Sequence, residues 1–172
     1  MQITRQTRSR TAFVLAAFLL VLPLSARADK IASFDLPRLN SSEQIKLDDV
    51  LGKGPVLVVF WASWCKPCLM EAPHLVKLYQ DLHPRGLEII GVNIDRGNPE
   101  RVKATVAKLG LPYPVVTDAK ATFASKMQVR SIPASFLIDS KGEIVKSYQG
   151  FYPGMEKELA AAVTELLPAK KH

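Results

Sequence analysis

This sequence predicts an α/β domain whose sheet is covered by helices, and three observations carry that prediction. Continuous apolar, β-rich runs alternate with segments of helical period, the pattern of strands buried on both faces. The chain of 172 residues is 48% hydrophobic and 23% charged, enough for one sizeable core. No internal repeat or low-complexity linker divides it, so residues 29–172 are expected to form one domain after a separate N-terminal segment.

In that segment Arg5, Arg8 and Arg10 precede an apolar run over 12–24, and Ala26-Arg27-Ala28 supplies an A-x-A cleavage pattern. Residues 1–28 therefore read as a secretory signal peptide cut after Ala28. The alternative is an uncleaved membrane anchor, but the apolar run is short of the roughly 20 residues that span a bilayer. No cysteine lies near the cut, which excludes attachment through an acylated cysteine. The leader holds four arginines and no acid, so the formal charge of +7 falls to +3 for residues 29–172. No block of like charges remains to act as a nucleic-acid footprint. Export places the mature chain in the periplasm, where disulfides persist.

The elements follow in order. Residues 31–47 are ambiguous, readable as an edge hairpin running into a short helical turn at 48–51. PVLVVFWAS, residues 55–63, is a continuous apolar run after a turn-like GKGP and predicts a buried parallel strand. Leu69, Ala72, Leu75, Val76, Tyr79 and Leu82 then recur at helical spacing, with Cys65 and Cys68 continuing that face backwards. LEIIGVNI, residues 87–94, predicts a second buried strand. NPERVKATVAKLG supplies a helix with Asn98 as N-cap, Pro99 at its first position and Gly110 as terminator. YPVVTD (113–118) predicts a short strand and ATFASKM (121–127) a short helix. ASFLID and EIVKSYQG flank the turn SKG as a hairpin, and a helix starting near Pro153 closes the domain.

Both cysteines of the chain fall in FWASWCKPCLMEAP, residues 60–73, where the first buried strand ends and a helix begins. As a staple the pair is poor, since a loop this short yields about 2 kcal/mol in the chain-entropy account. As a structural zinc site it lacks partners, because only His74, His83 and His172 remain and their spacing fits no common zinc pattern. A thiolate pair with one histidine could hold copper, so a copper-binding assembly protein stays open. The flanks favour redox chemistry. Unpaired N–H groups and the helix dipole should stabilise a thiolate at Cys65, with Lys66 adding positive charge and Pro67 tolerated in the first turn. Lowering a thiol from about 8.5 to about 7 gains about threefold in attack rate once the loss of nucleophilicity is counted. The larger effect is on leaving-group ability and redox poise.

WCKPC opening a helix, Pro73 within that helix, and SIPASFLID (131–139) ahead of a terminal hairpin and helix resemble the thioredoxin fold. The extra helix and strand around 98–118, with the leader, resemble its exported TlpA/ResA/CcmG (DsbE-like) branch. The resemblance covers roughly residues 31–167. It implies a central mixed sheet flanked by helices, with a helix–strand insertion and an N-terminal extension. Cytosolic thioredoxins carry a buried aspartate two residues ahead of the first tryptophan, and here that place holds Val59.

The proton chemistry must then come from elsewhere, and Glu71 is the candidate. It follows Cys68 by three residues on one helix face, and the branch resembled has a glutamate at the matching position, which implies an acid/base role. Burial would raise its pKa toward neutrality; the competing reading is a surface glutamate that favours a first helical turn. The resemblance also implies a cis bond at Pro133 opposite the cysteines, with Ile132 pairing to substrate backbone. Trp61 and Trp64 are readable as core or as a hydrophobic rim, and Trp64, beside the nucleophile, as rim.

The expected activity is a periplasmic thiol–disulfide oxidoreductase. Cys65, Cys68 and Glu71 carry the chemistry, and Trp64, Lys66, Pro67, Ile132 and Pro133 contact substrate. No metal or cofactor is expected. The resemblance implies reduction of cysteine pairs in exported proteins, often apocytochrome c in cytochrome c maturation, with re-reduction by a membrane electron donor. A disulfide-donating oxidase or isomerase is the alternative enzyme, and a plain interaction module the alternative outside enzymes. Peroxidase members of the wider fold usually place their peroxidatic cysteine in a different motif. Membrane contact is expected only through the leader, if uncleaved.

Overall fold

The computed structural model describes residues 29–168. The leader and its expected cleavage site lie outside the described residues, as does His172. Five strands form the main sheet: β3 (Val56–Trp61), β4 (Glu88–Asn93), β5 (Val115–Thr117), β6 (Ala134–Ile138) and β7 (Ile144–Gln149). Their order is β5-β4-β3-β6-β7, with β3, β4 and β5 parallel and β6 and β7 antiparallel. The sheet is mixed, as the resemblance implies.

Residue parity in β3 divides the core. Val56, Val58 and Phe60 face one side, packed with Phe34, Leu47, Phe123 and Met127. Phe123 belongs to the short helix α4 (Thr122–Lys126) and Leu47 to the turn α1 (Leu47–Val50). Leu57 and Val59 face the other side, against Leu75 and Leu78 of α2 (Lys66–Leu82) and Met155, Leu159 and Val163 of α5 (Met155–Leu166). Every residue of β3 is buried, which is why it reads as an unbroken apolar run.

The insertion forms as expected. Helix α3 (Pro99–Leu109) is capped by Asn98, whose side-chain oxygen accepts the Glu100 N–H at 2.9 Å. It ends at Gly110, whose left-handed φ of 61° the absence of a Cβ permits. The ambiguous stretch resolves into a separate two-stranded sheet of β1 (Asp35–Pro37) and β2 (Gln44–Lys46), running directly into α1. Leu39 N–H donates to the Val115 carbonyl at 2.9 Å, tying this hairpin to the edge of the main sheet.

One expectation shifts in detail. The buried face of α2 is Cys68, Glu71, Ala72, Leu75 and Leu78, whereas Leu69 and Val76 are half-buried. The helix is rolled so that a carboxylate, not an apolar side chain, sits at the centre of its first buried turns.

Candidate active site

The site is built where β3 delivers the chain to α2. After Trp61, the Ser63 N–H and hydroxyl donate to the two carboxylate oxygens of Asp95 at 2.8 and 2.6 Å. Asn93 Nδ2 donates to the same carboxylate at 2.8 Å, and the Asp95 N–H returns to Asn93 Oδ1 at 3.1 Å. This cluster clamps the loop that precedes the cysteines to the end of β4.

Cys65 is the N-cap of α2, Lys66 and Pro67 are its first two residues, and Cys68 the third. A disulfide joins Cys65 and Cys68. Cys65 Sγ accepts the Cys68 N–H at 3.3 Å, the bond expected of an N-cap side chain. The same sulfur lies 3.7 Å from the carbonyl oxygen of Ile132. Ile132–Pro133 is a cis peptide bond, and the Pro133 carbonyl accepts the Gly150 N–H at 2.8 Å. Both cysteines are buried, so exposure does not rank them; what distinguishes Cys65 is its place at the helix terminus against the Ile132 loop. Trp64 beside it is 59% exposed, while Lys66 and Pro67 are exposed on the same turn. Trp61 is buried, so of the two tryptophans only Trp64 can form a rim.

Glu71 is 2% exposed, one helical turn beyond Cys68. Its carboxylate accepts the Ser135 hydroxyl at 3.4 Å, a long bond. Burial outweighs that bond and pushes the Glu71 carboxyl up to about 7. Burial, with the Glu71 charge second, also raises the Tyr113 hydroxyl above its usual range. Cys68, Glu71, Trp61, Tyr113 and Val59 share the walls of one small cavity. The carboxylate therefore reaches from the helix into the region that Val59 faces from the strand. Pro73 and His74 are exposed, the His74 ring lying tilted against Phe151 with ring centroids 5.2 Å apart. Among the described residues no group of three or more histidine, cysteine and acidic side chains is arranged to hold a metal ion.

Sequence reasoning missed Ser135, Tyr113 and the wall formed by Trp61. Ser135 carried a readable signal, because a hydroxyl in the apolar run ASFLI that pairs across from Val59 needs a buried partner. Tyr113 carried none, since its place depends on how the insertion folds back.

Comparison with known proteins agrees with this geometry. The AhpC/TSA family matches residues 28–147. The thiol-disulfide oxidoreductase ResA of Halalkalibacterium halodurans is 35% identical over 145 residues, covering 84% of this chain and 78% of that protein. The ResA of Bacillus thuringiensis is 38% identical over 108 residues, covering 63% of this chain and 61% of that one, less than two thirds of its length. The crystal structure of a candidate thiol:disulfide interchange protein DsbE from Chlorobium tepidum superposes with a TM-score of 0.74 at 28% identity, covering 80% of this chain and 95% of that one. The chain belongs to the AhpC/TSA family, and within its thioredoxin fold it is a ResA-like thiol–disulfide oxidoreductase with a Cys-x-x-Cys pair.

Proposed function

We propose that this protein is exported through residues 1–28, cleaved after Ala28, and reduces disulfides of other exported proteins in the periplasm. The observation that carries the reading is a cysteine pair at a helix N-terminus sharing a cavity with a buried glutamate. Cys65 thiolate attacks the target disulfide, its sulfur bonding to one target sulfur while the other leaves as thiolate. Cys68 then loses its proton to Glu71, attacks Cys65 and releases the second target thiolate, leaving the Cys65–Cys68 disulfide. Glu71 suits that task because a carboxyl near 7 can both accept and return a proton at neutral pH.

The resemblance to ResA supports the reducing direction, and the surroundings of Cys65 act on its thiolate both ways. Thiolate stabilisation makes a dithiol oxidising when disulfide-bonded. Here the α2 N-terminus and the Cys68 N–H stabilise a negative charge on the Cys65 sulfur, and the Ile132 carbonyl opposes it. Trp64, Lys66 and Pro67 form the exposed surround against which a target chain docks, with Ile132 half-buried at its edge and Pro133 buried behind it. The family supports a role in preparing apocytochrome c cysteine pairs, with a membrane electron donor restoring the dithiol.

Replacing Cys68 with Ser in the mature chain tests the order of events. Cys68→Ser is expected to accumulate mixed disulfides through Cys65, while Cys65→Ser abolishes reduction. Retained activity in Cys65→Ser, with no covalent complex from Cys68→Ser, would overturn the assignment.

A further inference from the structure

Trp61 is more than nine-tenths buried, and no hydrogen-bond partner lies within reach of its indole Nε1 among the described residues. A buried donor without an acceptor costs about 1–3 kcal/mol, so such a group in a folded core calls for an explanation. The nitrogen lies over Gly91: a Cβ added there would stand 3.2 Å from Trp61 Nε1 and 3.4 Å from the Tyr113 ring. Gly91, Trp61 and Tyr113 are also walls of the cavity that Cys68 and Glu71 line. That cavity measures about 10 Å³, at the lower bound of the room one water requires. The other buried orphans, Arg85 Nε and Tyr148 OH, belong to none of its walls.

We propose that this cavity holds one ordered water, fixed by the Trp61 indole N–H, through which the Cys68 proton reaches Glu71. The inference rests on the acid/base reading of Glu71 given above and names the carrier that reading lacks. The water's oxygen accepts from Trp61 Nε1–H and from the Cys68 S–H, and one of its hydrogens points to the Glu71 carboxylate. In the resolving step the Cys68 S–H proton passes to this water, and one of the water's own protons passes to Glu71. The Cys68 electron pair then forms the bond to Cys65, and the bond from Cys65 to the target sulfur breaks with its pair on the target. Proton and electron counts balance without another reactant. Trp61 is a positioning residue, since it acts through the water.

Direction follows from charge. An indole N–H donating to the water makes that water a better donor to the carboxylate, which favours ionised Glu71. The other titratable groups facing Glu71 are Cys68 and His74 on α2, Tyr113 ahead of β5, and Glu156 on α5. Trp61→Phe leaves all of them in place, and in Gly91→Ala only Tyr113 is touched, its ring meeting the new methyl at 3.4 Å.

The test is the pH profile of disulfide reduction by the dithiol form in wild type, Trp61→Phe, Gly91→Ala and Glu71→Gln. Trp61→Phe removes the N–H with little change of shape, and Gly91→Ala puts a methyl where the water is expected. Both are expected to move the Glu71 titration up, Gly91→Ala by about one pH unit, the size of one hydrogen bond to a charged group, and Trp61→Phe by about half of that. Glu71→Gln is expected to remove it. If Glu71→Gln removes the titration while Trp61→Phe and Gly91→Ala leave it at its wild-type pH, the water is overturned and Glu71 keeps its role. If Glu71→Gln also leaves the profile unchanged, the acid/base reading fails and the water with it. Should the variants not fold, the wild-type indole N–H of Trp61 decides by NMR. Cross-relaxation with a long-lived water upholds the proposal, and its absence overturns it.

Discussion

Asp118 and Glu71 are two carboxylates buried to nearly the same depth, 3% and 2% exposed, on opposite faces of the sheet. Asp118 ends up beneath α4, where its two oxygens accept the N–H groups of Thr122 and Ala124 at 2.9 and 2.8 Å. Glu71 accepts one hydroxyl at 3.4 Å, and its carboxyl is pushed up to about 7. Burial imposes a desolvation cost on any carboxylate, and the donors supplied offset it to different degrees. The saturated acid builds a helix terminus. The starved one is left able to exchange a proton, beside the cysteines.

Breaking the saturated side should produce the largest change in stability. Asp118→Ala leaves the buried Ala124 N–H without an acceptor and removes the part-buried cap on the Thr122 N–H, and is expected to cost about 4 kcal/mol in urea unfolding. The folded fraction should still form the Cys65–Cys68 pair, because Asp118 lies on the far face of the sheet.

Glu71→Gln should move stability the other way, and only where the carboxyl ionises. A folded pKa raised from 4.5 to about 7 means the folded state binds the proton more tightly than the unfolded chain. Stability is therefore greatest below about 4.5 and is lost as pH rises through about 7. Unfolding of the disulfide form should show Glu71→Gln more stable than wild type by up to about 3 kcal/mol at alkaline pH, and near wild type at acid pH. Identical pH dependence in the two proteins would remove the starved-carboxylate account.

Ser135→Ala sharpens the comparison with the smallest effect. It deletes the hydroxyl that lowers the Glu71 pKa, so the Glu71 titration in the activity profile should rise by less than about one pH unit. A fall would mean that another donor takes over.

The cysteine pair, the cap at Asn98, the terminal hairpin and the order of elements were all legible, because each rests on local signals. The turn chemistry, the caps and the runs of buried strands lie within a few residues of one another. The face of α2 agrees at Cys68, Ala72 and Leu75 and differs at its margins. Apolar periodicity counts Leu69 and Val76 as inward, while the fold spends the inward position on Glu71 and brings Leu78 beside Leu75. Residues 31–47 were ambiguous because β1 and β2 have three residues each and draw support from β5 through Leu39, a contact no local pattern announces. Ser135, Tyr113 and Trp61 meet around Glu71 only after β6, the insertion and β3 are brought together. Spacing could place Glu71 near Cys68, but only the assembled core shows how few donors it is given.

The claim that the pair works as a reductant is tested most directly by the reduction potential of Cys65 and Cys68 in the chain from residue 29, equilibrated in dithiol and glutathione buffers at neutral pH. A value near or below the roughly −270 mV of thioredoxin is predicted from the reducing role proposed above, with the Ile132 carbonyl opposing the thiolate that the helix N-terminus stabilises. A value near the roughly −120 mV of a strong oxidant would contradict the account and make the protein a donor of disulfides.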